Sequence, residues 1–151
     1  MEQELLLKVF EVNELIKNEI KIQKTNDKDK LQKDKNMKIS LNAKNALRIL
    51  SQQDNINQRT LAKKLNITSQ AMSEIIKKLE QANYIQKRNN KINNENIISI
   101  TDEGIEKANM FTQRLDSVCD KVFKDMTTSD KDKLLELLEK MSRVGDIDEH
   151  A

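Results

Sequence analysis

Residues 57–85 read NQRTLAKKLNITSQAMSEIIKKLEQANYI, two short amphipathic helical patterns facing each other across a gap of about three residues. Leu61, Ala62 and Leu65 make the apolar side of the first pattern. Asn57 can cap its start with a side-chain oxygen, and Asn66 can stop it in the left-handed conformation that Asn tolerates better than most residues. Thr68 then caps the second helix. Its Met72, Ile75, Ile76 and Leu79 recur at i, i+3, i+4 and i+7, a one-sided stripe that belongs in a core. Asn83 closes it, where Gly or Asn is expected. The leading end of this second helix, Thr68, Ser69 and Gln70, is small, polar and uncharged, where a helix surface more often carries Glu and Lys.

The flanking segments follow from the same periodicity. A first helix is expected from about Glu2 to Gln23, with Leu5, Val9, Val12, Ile16 and Ile20 in one stripe. The charge-dense run 24–38 reads as a solvated connector. A second helix should begin near Asn42 as its cap and bury Ala43, Ala46, Leu47 and Leu50. After Asn83 the period changes. YIQKR (84–88) and NIISI (96–100) are rich in branched residues and are separated by NNKINNE, where Asn can supply turn conformations, so a β-hairpin is expected. Thr101 should cap a long helix with Asp102 and Glu103 in its positive first turn. Ala108, Phe111, Leu115, Val118 and Val122 then form a coiled-coil-like seam. SDKD (129–132) resembles a capping box with Asp132 in place of Glu, and it opens a last helix bearing Leu134, Leu137, Leu138 and Met141. The expected divisions are a dimerisation helix at 1–23, a charged connector at 24–40, a winged helix-turn-helix at 41–101, two dimerisation helices at 102–144 and a loose tail at 145–151.

Composition supports a mainly α chain with a small β-hairpin wing. There is no Pro and there are two Gly in 151 residues. Separate small cores in such a chain would be thin, so burial between two copies is expected. Net charge is +2, but it is unevenly spread. Residues 57–101 carry eight Lys or Arg against three Asp or Glu, whereas residues 102–151 carry eight against thirteen. A basic island of this kind attracts polyanions such as nucleic-acid phosphates, and equally fits a solvated charged face. Cys119 is the single cysteine, and it lies beside the apolar seam, where a packed small residue is expected. The acidic opening MEQELLLKVFEVNE does not read as a signal peptide, and no run reaches the length of a membrane span, so a cytoplasmic location is expected. His150 is the single His, and no nucleophile–base pair or phosphate loop stands out, so neither an enzyme, a metal site nor a cofactor is expected.

The order helix, helix, turn, helix, hairpin is the winged helix-turn-helix arrangement. In helix-turn-helix proteins the second helix enters the major groove and its N-terminal residues meet base edges. Thr68, Ser69, Gln70, Ser73 and Glu74 are therefore the candidate base readers. Gln can pair bidentately with adenine, and a Glu carboxylate can either accept from cytosine or repel a phosphate. Arg59, Lys63, Lys64, Lys77, Lys78, Lys87, Arg88 and Lys91 are the candidate backbone and wing contacts, since most cations position a protein on DNA rather than read sequence.

From Leu41 to Gly104 the chain resembles the MarR family of bacterial transcription regulators. The matching residues are Leu41-Asn42, Leu61-Ala62, Leu65, Leu79-Glu80, Tyr84-Ile85, Arg88 and Ile100-Thr101-Asp102-Glu103-Gly104. The resemblance implies a homodimer joined by the long flanking helices, with Leu5, Val9, Val12, Ile16, Leu115, Val118, Val122, Leu134 and Leu138 at the interface. It implies double-stranded DNA as partner, a repressor acting on an inverted-repeat operator, and room for a small-molecule effector of unidentified chemistry. It also implies an Asp-x-Arg motif in the wing, which this sequence lacks. KINNEN (91–96) stands there, with Asn94 near the Arg position and Lys91 as the basic residue at the tip. The competing expectation is a winged-helix module whose basic surface binds an acidic protein.

Overall fold

The structure is a computed structural model that describes residues 1–26 and 39–143. Its elements are α1 (Glu2–Asn26), α2 (Leu41–Gln52), β1 (Ile56–Asn57), α3 (Gln58–Leu65), α4 (Ser69–Gln81), β2 (Ile85–Asn90), β3 (Glu95–Ile100), α5 (Asp102–Val122) and α6 (Thr128–Ser142). The first helix runs three residues past Gln23, into the expected connector. Most of that connector, the tail and His150 lie outside the described residues.

Local chemistry sets most of the boundaries. Asn57 accepts from Arg59 N, Thr68 from Ala71 N and Thr101 from Gly104 N, each capping the helix that follows. Asn66 (φ 54°) and Asn83 (φ 63°) end α3 and α4 in the same way. In each, the next residue's N–H reaches back to a carbonyl of the last turn, Ile67 N to Ala62 O and Tyr84 N to Leu79 O. Among the described residues every backbone with positive φ belongs to an Asn: Asn55, Asn66, Asn83 and Asn94. Asn here does the work that Gly does in most chains.

Two caps differ from expectation. Ser40, not Asn42, caps α2, accepting from Ala43 N at 3.1 Å. The capping box of α6 is Thr127 with Asp130 rather than Ser129 with Asp132. The run TTSD offers overlapping solutions, and the one used starts the helix two residues earlier.

The wing is also larger than a hairpin. β2 and β3 pair antiparallel from Ile85↔Ile100 to Asn90↔Glu95, and β1 adds a third strand through Ile56↔Ile98 and Asn57↔Ile97. One core joins these parts. It combines Ala43, Ala46, Leu47 and Leu50 of α2 with Leu61 and Ala62 of α3, and with Met72, Ile76 and Leu79 of α4. Ile56, Tyr84, Ile85, Ile98 and Ala108 close it. Ile75 is half-buried at its edge.

The long helices are less covered. α1 packs on α5, where Ile16 and Ile20 are half-buried and Lys121 Nζ donates to Glu19 Oε2 at 3.1 Å. The α6 helix buries none of its residues within this chain. Val118 is buried inside the chain, so it is taken up by internal packing rather than left for a partner. Cys119 is exposed, contrary to the packed position expected of it. Lys44 on α2 and Lys107 and Arg114 on α5 are buried, and the apolar pattern gives no sign of this. The aliphatic stems of such residues cover helix junctions as effectively as Leu does.

Candidate nucleic-acid interface

The exposed face of α4 begins at its capped end. Thr68, Ser69, Gln70, Ser73, Glu74, Lys77 and Lys78 are all exposed, while Met72, Ile76 and Leu79 on the opposite side are at most 2% exposed. The stripe is thus buried apart from the half-buried Ile75, and the polar first turn is presented. That turn holds no acidic side chain, so the positive end of the helix is left uncompensated and favours an anion nearby. Thr68 Oγ1 is committed to Ala71 N at 3.1 Å, which makes it a cap first and a reader second.

One cation, Arg59, lines the same cleft as Ser69 and Ser73 of this end. Arg59 and Lys63 project from α3, and Lys87, Arg88 and Lys91 from the wing, all exposed. The wing tip, residues 91–94, is pinned by Asn side chains. Ile92 N donates to Asn90 Oδ1 at 3.1 Å, and Glu95 N donates to Asn93 Oδ1 at 3.2 Å. Lys91 therefore sits on a braced turn, beside an Ile92 that is 96% exposed.

A cleft of about 360 Å³ separates the wing from α3 and α4. Arg59, Ser69 and Ser73 line one side, Asn94 and Glu95 the other, and Gln58 lies between them. A DNA strand dividing a major groove occupied by α4 from a minor groove beside the wing would have to pass here. Glu95 narrows the attraction, since its carboxylate, held by Asn93 Nδ2 at 3.1 Å, faces the same space. Gln58 and Asn96 were not anticipated as site residues. Their roles depend on contacts 15 and 38 residues away in sequence, which no local pattern reveals.

Among the described residues no group of three His, Cys, Asp or Glu is placed to hold a metal, and no helix is long and apolar enough to cross a membrane.

These elements define a winged helix-turn-helix carried between long helices. Residues 39–94 match the family model described as "MarR family". That segment covers α2, α3, α4 and the first wing strand, so the winged helix of this chain is similar to the MarR family. The fold extends well beyond that segment. A MarR protein from Peptoclostridium difficile DA00132 superposes with a TM-score of 0.73 at 21% identity, over 97% of this chain and 90% of that one. A MarR-family transcriptional regulator from Rhodococcus sp. RHA1 gives 0.69 at 12% identity, over 94% of each chain. CouR from Rhodococcus jostii RHA1, solved bound to p-coumaroyl-CoA, gives 0.72 at 13% identity, over 91% of each. No curated protein matches the sequence significantly.

Proposed function

We propose that the chain is a dimeric, sequence-specific DNA-binding repressor that occludes a promoter by seating two copies of α4 in successive major grooves of an inverted repeat. The observation that carries this reading is the exposed, uncharged first turn of α4, with Arg59 of α3 lining the same cleft. Ser69, Gln70 and Ser73 can donate and accept toward base edges. Glu74 takes a cytosine amino group, and Thr68 assists from the cap. Arg59, Lys63, Lys77, Lys78, Lys87, Arg88 and Lys91 hold phosphates. With Asn94 near the family's Arg position and Lys91 as the basic residue of the tip, the wing contributes a point charge rather than a planar fork.

The dimer follows from surface that one chain leaves open. Leu5, Val9 and Val12 on α1 and Leu138 on α6 are exposed, and Ile16, Leu115, Val122 and Leu134 are half-buried. A 15-residue helix that buries nothing in its own chain is marginal in water, so α6 needs a second copy to pack against. Small-molecule control belongs to the same proposal, since CouR, which has this fold, was solved with a ligand.

The test separates reading from attraction. Gln70→Ala should cost about 1–3 kcal/mol on the cognate duplex and little on a scrambled one. Lys91→Ala should weaken both alike and reduce the salt slope by about one. Binding of both variants across a salt series decides the matter. Equal weakening of both duplexes by Gln70→Ala removes the base-reading role, and no effect from either variant moves the basic face to an acidic protein partner.

A further inference from the structure

Four side chains form one hydrogen-bonded line from the wing to the recognition face. Asn89 Nδ2 donates to Asn96 Oδ1 at 3.0 Å, and Asn96 Nδ2 donates to Gln58 Oε1 at 3.3 Å. Gln58 Nε2 donates in turn to Ser73 Oγ at 3.3 Å. Asn96 and Gln58 each accept on the wing side and donate on the α4 side, so the line that Asn89 starts has one polarity and ends on the Ser73 oxygen.

That polarity changes what Ser73 can offer. A serine hydroxyl on a helix surface can donate or accept, and it rotates to suit its neighbour. Thr112 and Ser117 on α5 turn their protons back onto the carbonyls of Ala108 and Gln113, the usual resting place within a helix. Ser73 instead has one of its two lone pairs engaged by Gln58, which turns its own proton away from the Gln58 amide. The line also ties Ser73 to β3, so the hydroxyl is oriented by the wing rather than by the helix alone.

We propose that Gln58 is a positioning residue that fixes Ser73 as a hydrogen-bond donor to DNA, so that the base edge facing Ser73 must present an acceptor. Guanine N7 and O6, adenine N7 and thymine O4 satisfy that demand in the major groove. Cytosine presents its N4 amino donor there and is rejected. The inference rests on α4 being the base-reading helix, and it adds which atom of one reader does the reading and what sets it.

Selection of the full-length protein on a randomised duplex library tests this. The wild type should exclude cytosine at one symmetry-related pair of positions. Gln58→Ala should relax that exclusion by about three- to tenfold, the worth of one hydrogen bond, and leave the preferences elsewhere as they were. Ser73→Ala should relax the same pair of positions, and the double variant should relax them no further, because the two residues act as one unit. Gln58→Glu should go beyond relaxation. A carboxylate only accepts, so Ser73 would donate to it and turn lone pairs toward the base, and cytosine should gain at that pair. Uniform loss of binding in Gln58→Ala, or altered positions that differ from those of Ser73→Ala, would show that the line merely braces the wing, and would overturn the proposal. A wild type that enriches no sequence at all removes the base-reading function itself, and this inference with it.

Discussion

Leu138→Asp should produce a monomer that no longer holds a two-fold operator. Leu138 is 43% exposed on a helix that buries nothing within its own chain, beside Leu135 at 59%, Leu137 at 47% and Met141 at 49%. Burying one Leu contributes about 1.5–3 kcal/mol, and symmetry counts each lost side chain twice. A carboxylate forced into the same contact adds a desolvation cost of several kcal/mol unless it finds a partner. The dimer should therefore weaken by three orders of magnitude or more. DNA affinity should fall with it by about 10²–10⁴, because a lone chain engages one half-site and forfeits the effective concentration of the second. The winged core contains no residue of α6, so the monomer should keep its helix-turn-helix folded. Sedimentation at micromolar concentration reads the outcome directly, as a shift to a single 17.6 kDa chain. A variant that still sediments as a dimer places the interface elsewhere.

Gly104→Ala should be the most destabilising single methyl in the described chain. A Cβ at Gly104 would collide with the backbone carbonyl oxygen of Tyr84 and lie 2.7 Å from Ile100 Cγ1. Neither is the free end of a flexible side chain. The Tyr84 carbonyl already accepts from Thr101 N at 3.0 Å, and Thr101 Oγ1 donates to Asn83 O at 2.7 Å. The end of α4, both wing strands and the start of α5 thus converge on one close approach, which only glycine permits. Displacing the carbonyl costs about 1–3 kcal/mol in overpacking and about 1 kcal/mol for the weakened hydrogen bond. For a chain of this size each kcal/mol lowers the unfolding midpoint by about 2–4 °C, so a drop of roughly 5–15 °C is expected in thermal unfolding. A midpoint within a degree or two of the wild type would contradict so tight a contact.

The parts of this fold that could be read from sequence are those settled within a few residues. Asn57, Thr68 and Thr101 announce their helices because a cap is made to the next turn, and Asn66 and Asn83 announce the ends for the same reason. The stripe Met72, Ile76, Leu79 needs only the helical period. Where two local solutions compete, the sequence alone does not choose. Ser40 and Asn42 are both good caps, as are Thr127 and Ser129, and residue type alone does not rank one above the other. The rest is non-local. Strand β1 is two residues long and exists because Ile56 meets Ile98, which no periodicity in so short a segment could show. Cys119 follows Val118 by about 100° around α5, enough to carry it from the buried side to the exposed one. In the candidate site, the polar first turn of α4 was legible as a chemical oddity, while Gln58 and Asn96 were not, since each matters through a side chain brought to it by the fold.

The central claim is a two-fold regulator that reads DNA through paired copies of α4. Hydroxyl-radical footprinting on the genomic fragment the protein retains most strongly tests it most directly. The account predicts two protected half-sites related by inverted symmetry, their centres about one helical turn, roughly 34 Å, apart. Protection of a single asymmetric site, or retention of all fragments without preference, would contradict it.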